Sequence, residues 1–88
     1  MRIIIDCNPF TMTQHAYYLA DDSNSVSNIE TISNALLIDH ISARANLLGI
    51  KYIGLQGIEG YCQKIKEEIQ SKLVMEYGNN NIEIEVIK

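Results

Sequence analysis

The stretch KYIGLQ at residues 51–56, the turn GIEG at 57–60 and the stretch IEIEVI at 82–87 decide the fold of this chain. The first stretch is apolar, and the last alternates apolar residues with glutamate, as a strand with one solvent-exposed face does. Between them, apolar residues recur every three or four positions, which predicts an amphipathic helix at about 59–77 that ends at Gly78. Strand, helix and strand joined by short connections predict a parallel pair with a right-handed crossover.

The residues near the start of the chain add two strands to this unit. The apolar run at 2–7 predicts a central strand covered on both faces, and the Asn8-Pro9 pair predicts a turn after it. The segment at 12–20 leaves two alternatives, because its Thr and Tyr content favours a strand whereas Thr11 with Gln14 matches a helix capping box. We favour the strand, in a hairpin antiparallel to the first.

A second helix is predicted in the middle of the chain, at about 28–48. Ser27 with Glu30 matches a capping box, and Gly49 is a helix stop. One side of this helix carries Ile29, Ile32, Leu36, Ala43 and Leu47, and the stripe is widened by Ile38, Ile41, Ala45 and Leu48. So wide a stripe predicts burial against more than one surface: either the helix lies deep against the sheet, or part of it covers a partner subunit. The expected fold is a single α/β domain over 1–88, with a small, mostly parallel sheet (2–7, 51–56 and 82–87, plus 12–20) and two helices (28–48 and 59–77).

Composition narrows the class of protein. The chain has 88 residues, 47% of them hydrophobic and 20% charged, and this balance is ordinary for one globular domain. The net charge of -4 without a Lys and Arg cluster argues against nucleic-acid binding. No apolar run has transmembrane length and the first one is too short for a signal peptide, so we expect no membrane association and a cytoplasmic location. Abundant Ile and Asn with few Ala indicate an AT-rich genome, as in low-GC bacteria and their phages.

The two cysteines and the short length bear on what stabilises the domain. Cys7 and Cys62 are too few for a disulfide framework, and neither has a second ligand at metal-binding spacing, so we predict buried thiols and no metal site. A domain of this length has a small hydrophobic core, and contact with a partner subunit often adds to the stability of such a domain. We therefore expect a homodimer.

Candidate ligand-binding residues follow the ends of two predicted strands. They are Asp6, Asn8, Gln56, Gly57 and Glu59. The carboxyl ends of parallel strands are where ligands collect in open α/β sheets, and the expected ligand is a divalent metal or a nucleotide phosphate. These candidate residues also have a simpler, structural interpretation. An Asp after a strand often caps a turn, and two glycines close together often form a turn without any ligand.

Two functions of different classes are consistent with these patterns. The first is a non-catalytic domain that self-associates in assembly or regulation, with Tyr17, Tyr18, Ile38 and Ile41 as interface candidates, because tyrosines are frequent at interfaces and the helix stripe is wide. The second is a ligand-binding or enzymatic domain with its site at the strand ends. No catalytic residue and no cofactor is identified.

Residues 3–6 (IIID), residues 15–19 (HAYYL) and residues 53–57 (IGLQG) also carry a resemblance. An acidic residue at the end of a first strand, a hairpin strand soon after it and a closing strand, helix and strand resemble the ribonuclease H-like fold, which includes RuvC-type resolvases and actin-like domains. The resemblance implies that Asp6 is a metal ligand. A nuclease of this type needs further carboxylates, and where one is usual at the end of a later strand this chain has Gln56. The third strand of that fold is not predicted here.

Overall fold

A computed structural model describes residues 1–7, 14–21, 23 and 25–87 of the chain. Five strands and two helices follow in the order β1 (Arg2–Cys7), β2 (Gln14–Ala20), β3 (Glu30–Ser33), α1 (Asn34–Leu48), β4 (Tyr52–Gly57), α2 (Glu59–Tyr77) and β5 (Glu83–Ile87). The strands form one sheet in the order β3-β2-β1-β4-β5. The fold is therefore α/β, as predicted.

The sheet is mixed, and the prediction of a mostly parallel sheet is wrong. β4 is parallel to both β1 and β5, and Ile53 pairs with Ile3 on one side and with Ile84 on the other. β2 is antiparallel to both β1 and β3. The difference arises because a second antiparallel pairing, between β2 and β3, extends the hairpin. The predicted parallel arrangement of the three strands around Ile3, Ile53 and Ile84 is confirmed.

The segment before α1 is a strand, so the prediction of a helix from residue 28 is wrong. Residues Glu30–Ser33 form β3, and the helix begins at Asn34 with Ser33 as a cap that makes no side-chain hydrogen bond. Ser27 does not cap a helix either. Its hydroxyl accepts a hydrogen bond from the Leu19 backbone N–H (2.9 Å), and its own N–H donates to the Leu19 carbonyl (2.8 Å). Pairing with β2 thus satisfies the groups that a capping box would have used.

The alternative for residues 12–20 is settled for the part that the structure describes. Gln14–Ala20 is a strand, and five of its residues pair with β1 from Ala16↔Asp6 to Ala20↔Arg2. Residues 12 and 13 and the predicted Asn8-Pro9 turn lie outside the described residues. The predicted antiparallel pairing of the two hairpin strands, β1 and β2, is therefore confirmed.

Both helices end at the predicted glycines. Gly49 and Gly78 have φ angles of 65° and 59°, and in each case the glycine and the residue after it donate backbone hydrogen bonds to the last turn of the helix. A residue with a Cβ is strained in this left-handed conformation, so glycine stops the helix at little cost.

Both helices cover the same face of the sheet. Ile3, Ile5 and Cys7 of β1 point into the layer between sheet and helices and are fully buried. The core cluster adds residues of the other strands and both helices, including Tyr17, Leu37, Ile41, Ala45, Ile53, Leu55, Cys62, Ile65, Ile69, Leu73 and Ile84. An ion pair from Lys72 Nζ to Asp39 Oδ1 (2.6 Å) joins the two helices across their exposed side.

The other face of the sheet has no helix over it among the described residues. Arg2 and Asp6 of β1 are exposed there, so the predicted burial of β1 on both faces is wrong for these two residues. Ile4 between them is only 6% exposed. A Cβ added to the neighbouring Gly54 would lie 2.9 Å from Ile4 Cδ1 and 2.5 Å from Ile87 Cδ1, so side chains of the sheet itself cover this spot.

Neither helix of the described chain has the length and apolarity that a membrane span requires.

Candidate functional site

The strand-end candidates are brought together in part. The β1–β4 register places Asp6 opposite Gln56 and Cys7 opposite Gly57. Asp6 and Gln56 therefore lie side by side on the open face, and both are exposed. Asn8 lies outside the described residues, and Glu59 is exposed in the first turn of α2. Of the five predicted residues, the parallel register therefore places Asp6 and Gln56 together as a pair.

Gly57 explains how the chain leaves this strand end. Its φ angle is 138°, a backbone conformation that side chains other than glycine rarely adopt. The turn carries the chain into α2, whose cap residue Ile58 makes no side-chain hydrogen bond. Gly57 therefore has a structural role that does not depend on a ligand.

Among the residues that the structure describes, the strand ends hold few metal-binding groups. Within residues 1–7, 14–21, 23 and 25–87, no group of three or more His, Cys, Asp or Glu side chains is arranged to hold a metal ion. Asp6 has Gln56 as its neighbour in the parallel register, and an amide oxygen is a weaker ligand than a carboxylate. Chemistry that needs two bound metal ions has no complete ligand set in this part of the chain.

The open face also contains a shallow hollow of about 550 Å³. Its lining residues are Met1, Arg2, Ile4, Tyr18, Asp21, Lys51, Tyr52, Gln56 and Ile87. Tyr52 is fixed at the rim, because its hydroxyl donates to Glu85 Oε2 (3.1 Å). Partial burial is the main cause that raises the pKa of Tyr52 above its ordinary value, followed by that hydrogen bond. The hollow has volume for a small molecule, and its lining mixes positive, negative and apolar side chains.

The two thiols lie in the core, as predicted. Cys7 and Cys62 are both free and fully buried. Burial raises the pKa of the Cys7 thiol well above its usual range, and the neighbouring Cys62 contributes to the same direction. A thiol that stays protonated is a poor nucleophile. His15 is also buried, with its ring centroid 5.4 Å from that of Tyr61, and neither ring nitrogen has a hydrogen-bond partner among the described residues.

Two of the four predicted interface residues are not at the surface. Tyr17 and Ile41 are buried in the chain's own core, so they cannot contact another copy while the domain is folded. Tyr18 is half-buried on the open face, and Ile38 is half-buried beside the core. Any interface must therefore use other residues as well.

Tyr17 has a structural role that the sequence did not reveal. Its hydroxyl is 2.8 Å from His40 Nε2 and accepts a longer hydrogen bond (3.5 Å) from Arg44 Nη1. Arg44 in turn forms an ion pair with Glu30 (3.6 Å). Burial, ahead of its other causes, raises the pKa of Tyr17 above its ordinary value. The network joins α1 to β2 and β3.

The outward side of α1 carries large apolar residues. Leu36 is 58% exposed and Leu47 83% exposed, and together with His40 and Ala43 they form a row that we call the α1 stripe. The sequence predicted that the wide stripe with Leu36, Ala43 and Leu47 packs against the sheet or in part against a partner subunit, and in the chain's own fold these three residues are exposed. The buried residues of α1 are Leu37, Ile41, Ser42 and Ala45.

A groove of about 430 Å³ lies along the α1 stripe. Its lining residues are His40, Ala43, Arg44, Leu47 and Leu48.

Compared with models of known protein families and with curated proteins, the sequence gives no match.

Proposed function

We propose that this chain is a non-catalytic cytoplasmic domain that self-associates as a homodimer, in an assembly or regulatory role, through the α1 stripe. The observation that supports the proposal is the exposure of Leu36 and Leu47 on one side of α1. Single exposed apolar residues are common on proteins, but here two leucines share a helix side with Ala43 between them and a groove alongside.

The spacing of the stripe fits a helix-to-helix contact. Its residues follow at intervals of four, three and four, which is the alternation seen where two helices pack along a seam. Burying the two leucines of each copy contributes on the order of 5 kcal/mol. Association also costs free energy in lost translational and rotational freedom, so we expect a weak, concentration-dependent dimer.

Sedimentation equilibrium tests this proposal with a matched pair of variants. The wild-type chain at concentrations from micromolar to millimolar should pass from monomer to dimer. Leu47→Glu places a charge in the seam and should leave only monomer. Met75→Glu is the control, because Met75 is 81% exposed on α2, away from the stripe, and this variant should dimerise like the wild type. A wild-type chain that stays monomeric at millimolar concentration, or equal loss of dimer in both variants, would refute the proposal.

A second candidate function is a metal- or nucleotide-binding domain of ribonuclease H-like type, with Asp6 and Gln56 at its site. Two observations favour it. The β1–β4 register places these two residues side by side at the strand ends. The structure also contains β3, which takes the place of the third strand that the resemblance requires and that the sequence did not predict.

Thermal unfolding with added ligand tests the second candidate. Mg²⁺, Mn²⁺ or ATP at millimolar concentration should raise the melting temperature of the wild-type chain, because a ligand that binds only the folded state stabilises it. Asp6→Asn should abolish the rise. Glu83→Gln removes the same charge from an exposed position on β5 and should keep it. A wild-type melting temperature that does not change with any of the three ligands would count against this function.

A further inference from the structure

We propose that Cys7 and Cys62 form a reversible disulfide, which locks the end of β1 to the first turn of α2 when the surroundings of the protein become oxidising. This proposal does not depend on self-association. It rests on where the fold places the two thiols, on their burial and on the distance in sequence between them.

The fold brings two thiols from distant parts of the chain to one place. Cys7 is the last residue of β1 and pairs with Gly57 of β4. The chain then enters α2, where the Cys62 backbone N–H donates to the Ile58 carbonyl in the first turn (2.9 Å). Both cysteine side chains are fully buried in the core cluster between the sheet and the helices, and Cys62 is close enough to act electrostatically on the Cys7 thiol. The two thiols are therefore neighbours, although Cys62 follows Cys7 by 55 residues.

The disulfide forms by exchange with a small disulfide such as glutathione disulfide. The thiolate of one cysteine attacks glutathione disulfide, which gives a mixed disulfide and releases one glutathione thiolate. The thiolate of the second cysteine then attacks the protein sulfur of the mixed disulfide and releases the second glutathione. The two protein thiols are oxidised to one S–S bond, and one glutathione disulfide is reduced to two glutathione molecules, which take up the two protons.

Burial makes this exchange slow and its product durable. Because Cys7 is protonated and enclosed in the core, glutathione disulfide reaches the thiols only when the domain opens locally or unfolds. Once the domain has closed again, the S–S bond is shielded from reductants in the same way. In a reducing compartment both cysteines stay thiols, so the bond records a period of oxidation.

The sequence distance between the cysteines sets the size of the effect. A cross-link that closes a loop of about 56 residues removes so much freedom from the unfolded chain that it shifts the folding equilibrium by roughly a thousandfold. Thermodynamic linkage requires that folding favours the disulfide by the same factor. The same quantity is therefore measurable from the redox equilibrium and from the stability of the fold.

The redox equilibrium provides the first test. The wild-type chain is equilibrated in buffers with graded ratios of glutathione disulfide to glutathione, starting from both the reduced and the oxidised form so that slow access does not affect the result. Mass spectrometry after acid quenching counts the disulfide. Since the chain has two cysteines, an intramolecular disulfide joins this pair. We expect an equilibrium constant about a thousandfold larger for the folded chain than in concentrated urea. A ratio below tenfold would overturn the proposal.

Thermal unfolding provides the second test, with Cys7→Ala and Cys62→Ala as matched controls. The melting temperature of the wild-type chain should be at least about 10 °C higher after equilibration in the oxidising buffer than in the reducing buffer. Each alanine variant is compared with itself in the two buffers and should show no such rise. A wild-type melting temperature that does not rise, or an equal rise in the variants, would show that no bond between these cysteines locks the fold.

Discussion

Replacing Gly54 with alanine tests how tightly the open face of the sheet is packed. Gly54 lies in β4 in the middle of that face, and an added Cβ would be 2.5 Å from Ile87 Cδ1, 2.9 Å from Ile4 Cδ1 and 3.1 Å from Tyr52 Cε1. Relaxed carbon contacts are about 3.5 to 4.0 Å, so all three side chains must move by several tenths of an ångström or more.

The expected cost of Gly54→Ala is the balance of two effects. Overpacking of this kind typically costs about 1–3 kcal/mol of the free energy of unfolding. Alanine also restricts the unfolded chain, which returns about 0.4–1 kcal/mol. We therefore expect a net loss of about 1–2 kcal/mol, which lowers the urea midpoint by roughly 1 M and the melting temperature by roughly 4–8 °C for each kcal/mol.

A double-mutant cycle with Ile87→Val identifies the cause. Valine lacks the Cδ1 atom that makes the shortest contact, and by itself this change should cost about 0.5–1 kcal/mol. In the Gly54→Ala background it should instead restore stability, with a coupling energy of about 0.5–1.5 kcal/mol. If Gly54→Ala proves as stable as the wild type, or if the two changes are additive, the packing described for this face is wrong.

Three further changes are expected to act locally. Gly60→Ala in the first turn of α2 should stabilise the chain by roughly 0.5–1 kcal/mol in urea unfolding, because nothing lies within 4 Å of the added Cβ and alanine is the better helix former. Gly49→Ala should cost about 1 kcal/mol in the same assay, since its φ of 65° strains a residue with a Cβ. Ser42→Ala should stabilise by about 1 kcal/mol, because the buried Ser42 hydroxyl has no hydrogen-bond partner among the described residues; a loss would contradict this. The Cys7 thiol should resist iodoacetamide at pH 8 until the chain unfolds, and because its folded pKa is raised, its contribution to stability should fall as pH rises above the ordinary value of 9.0.

The closing half of the fold could be predicted because its patterns are local. Alternation at 82–87 and the helical period at 59–77 each specify one structure, and the observed elements β5 and α2 agree with them within a residue. Parallel register then determines that Asp6 lies beside Gln56. This pair is the part of the candidate site that the sequence could provide.

The middle of the chain could not be predicted in the same way, because long-range contacts decide it. Ser27 has the same local signal whether it caps a helix or accepts a hydrogen bond from Leu19, and only the pairing with β2 distinguishes the two. α1 is apolar on two sides, so its sequence does not say which side faces the sheet. The contacts from Tyr17 to His40 and Arg44 accompany the orientation that leaves Leu36 and Leu47 exposed.

The central position of β1 has a consequence for how the chain acquires its structure during synthesis. Ile3 pairs with Ile53, which is 50 residues further along. At about 5–20 residues per second, a ribosome needs several seconds to produce that partner. During this interval the most apolar strand of the protein has one unpaired edge, which is a template for aggregation. The hairpin with β2 covers its other edge first, so we expect early pairing of these two strands to protect the nascent chain.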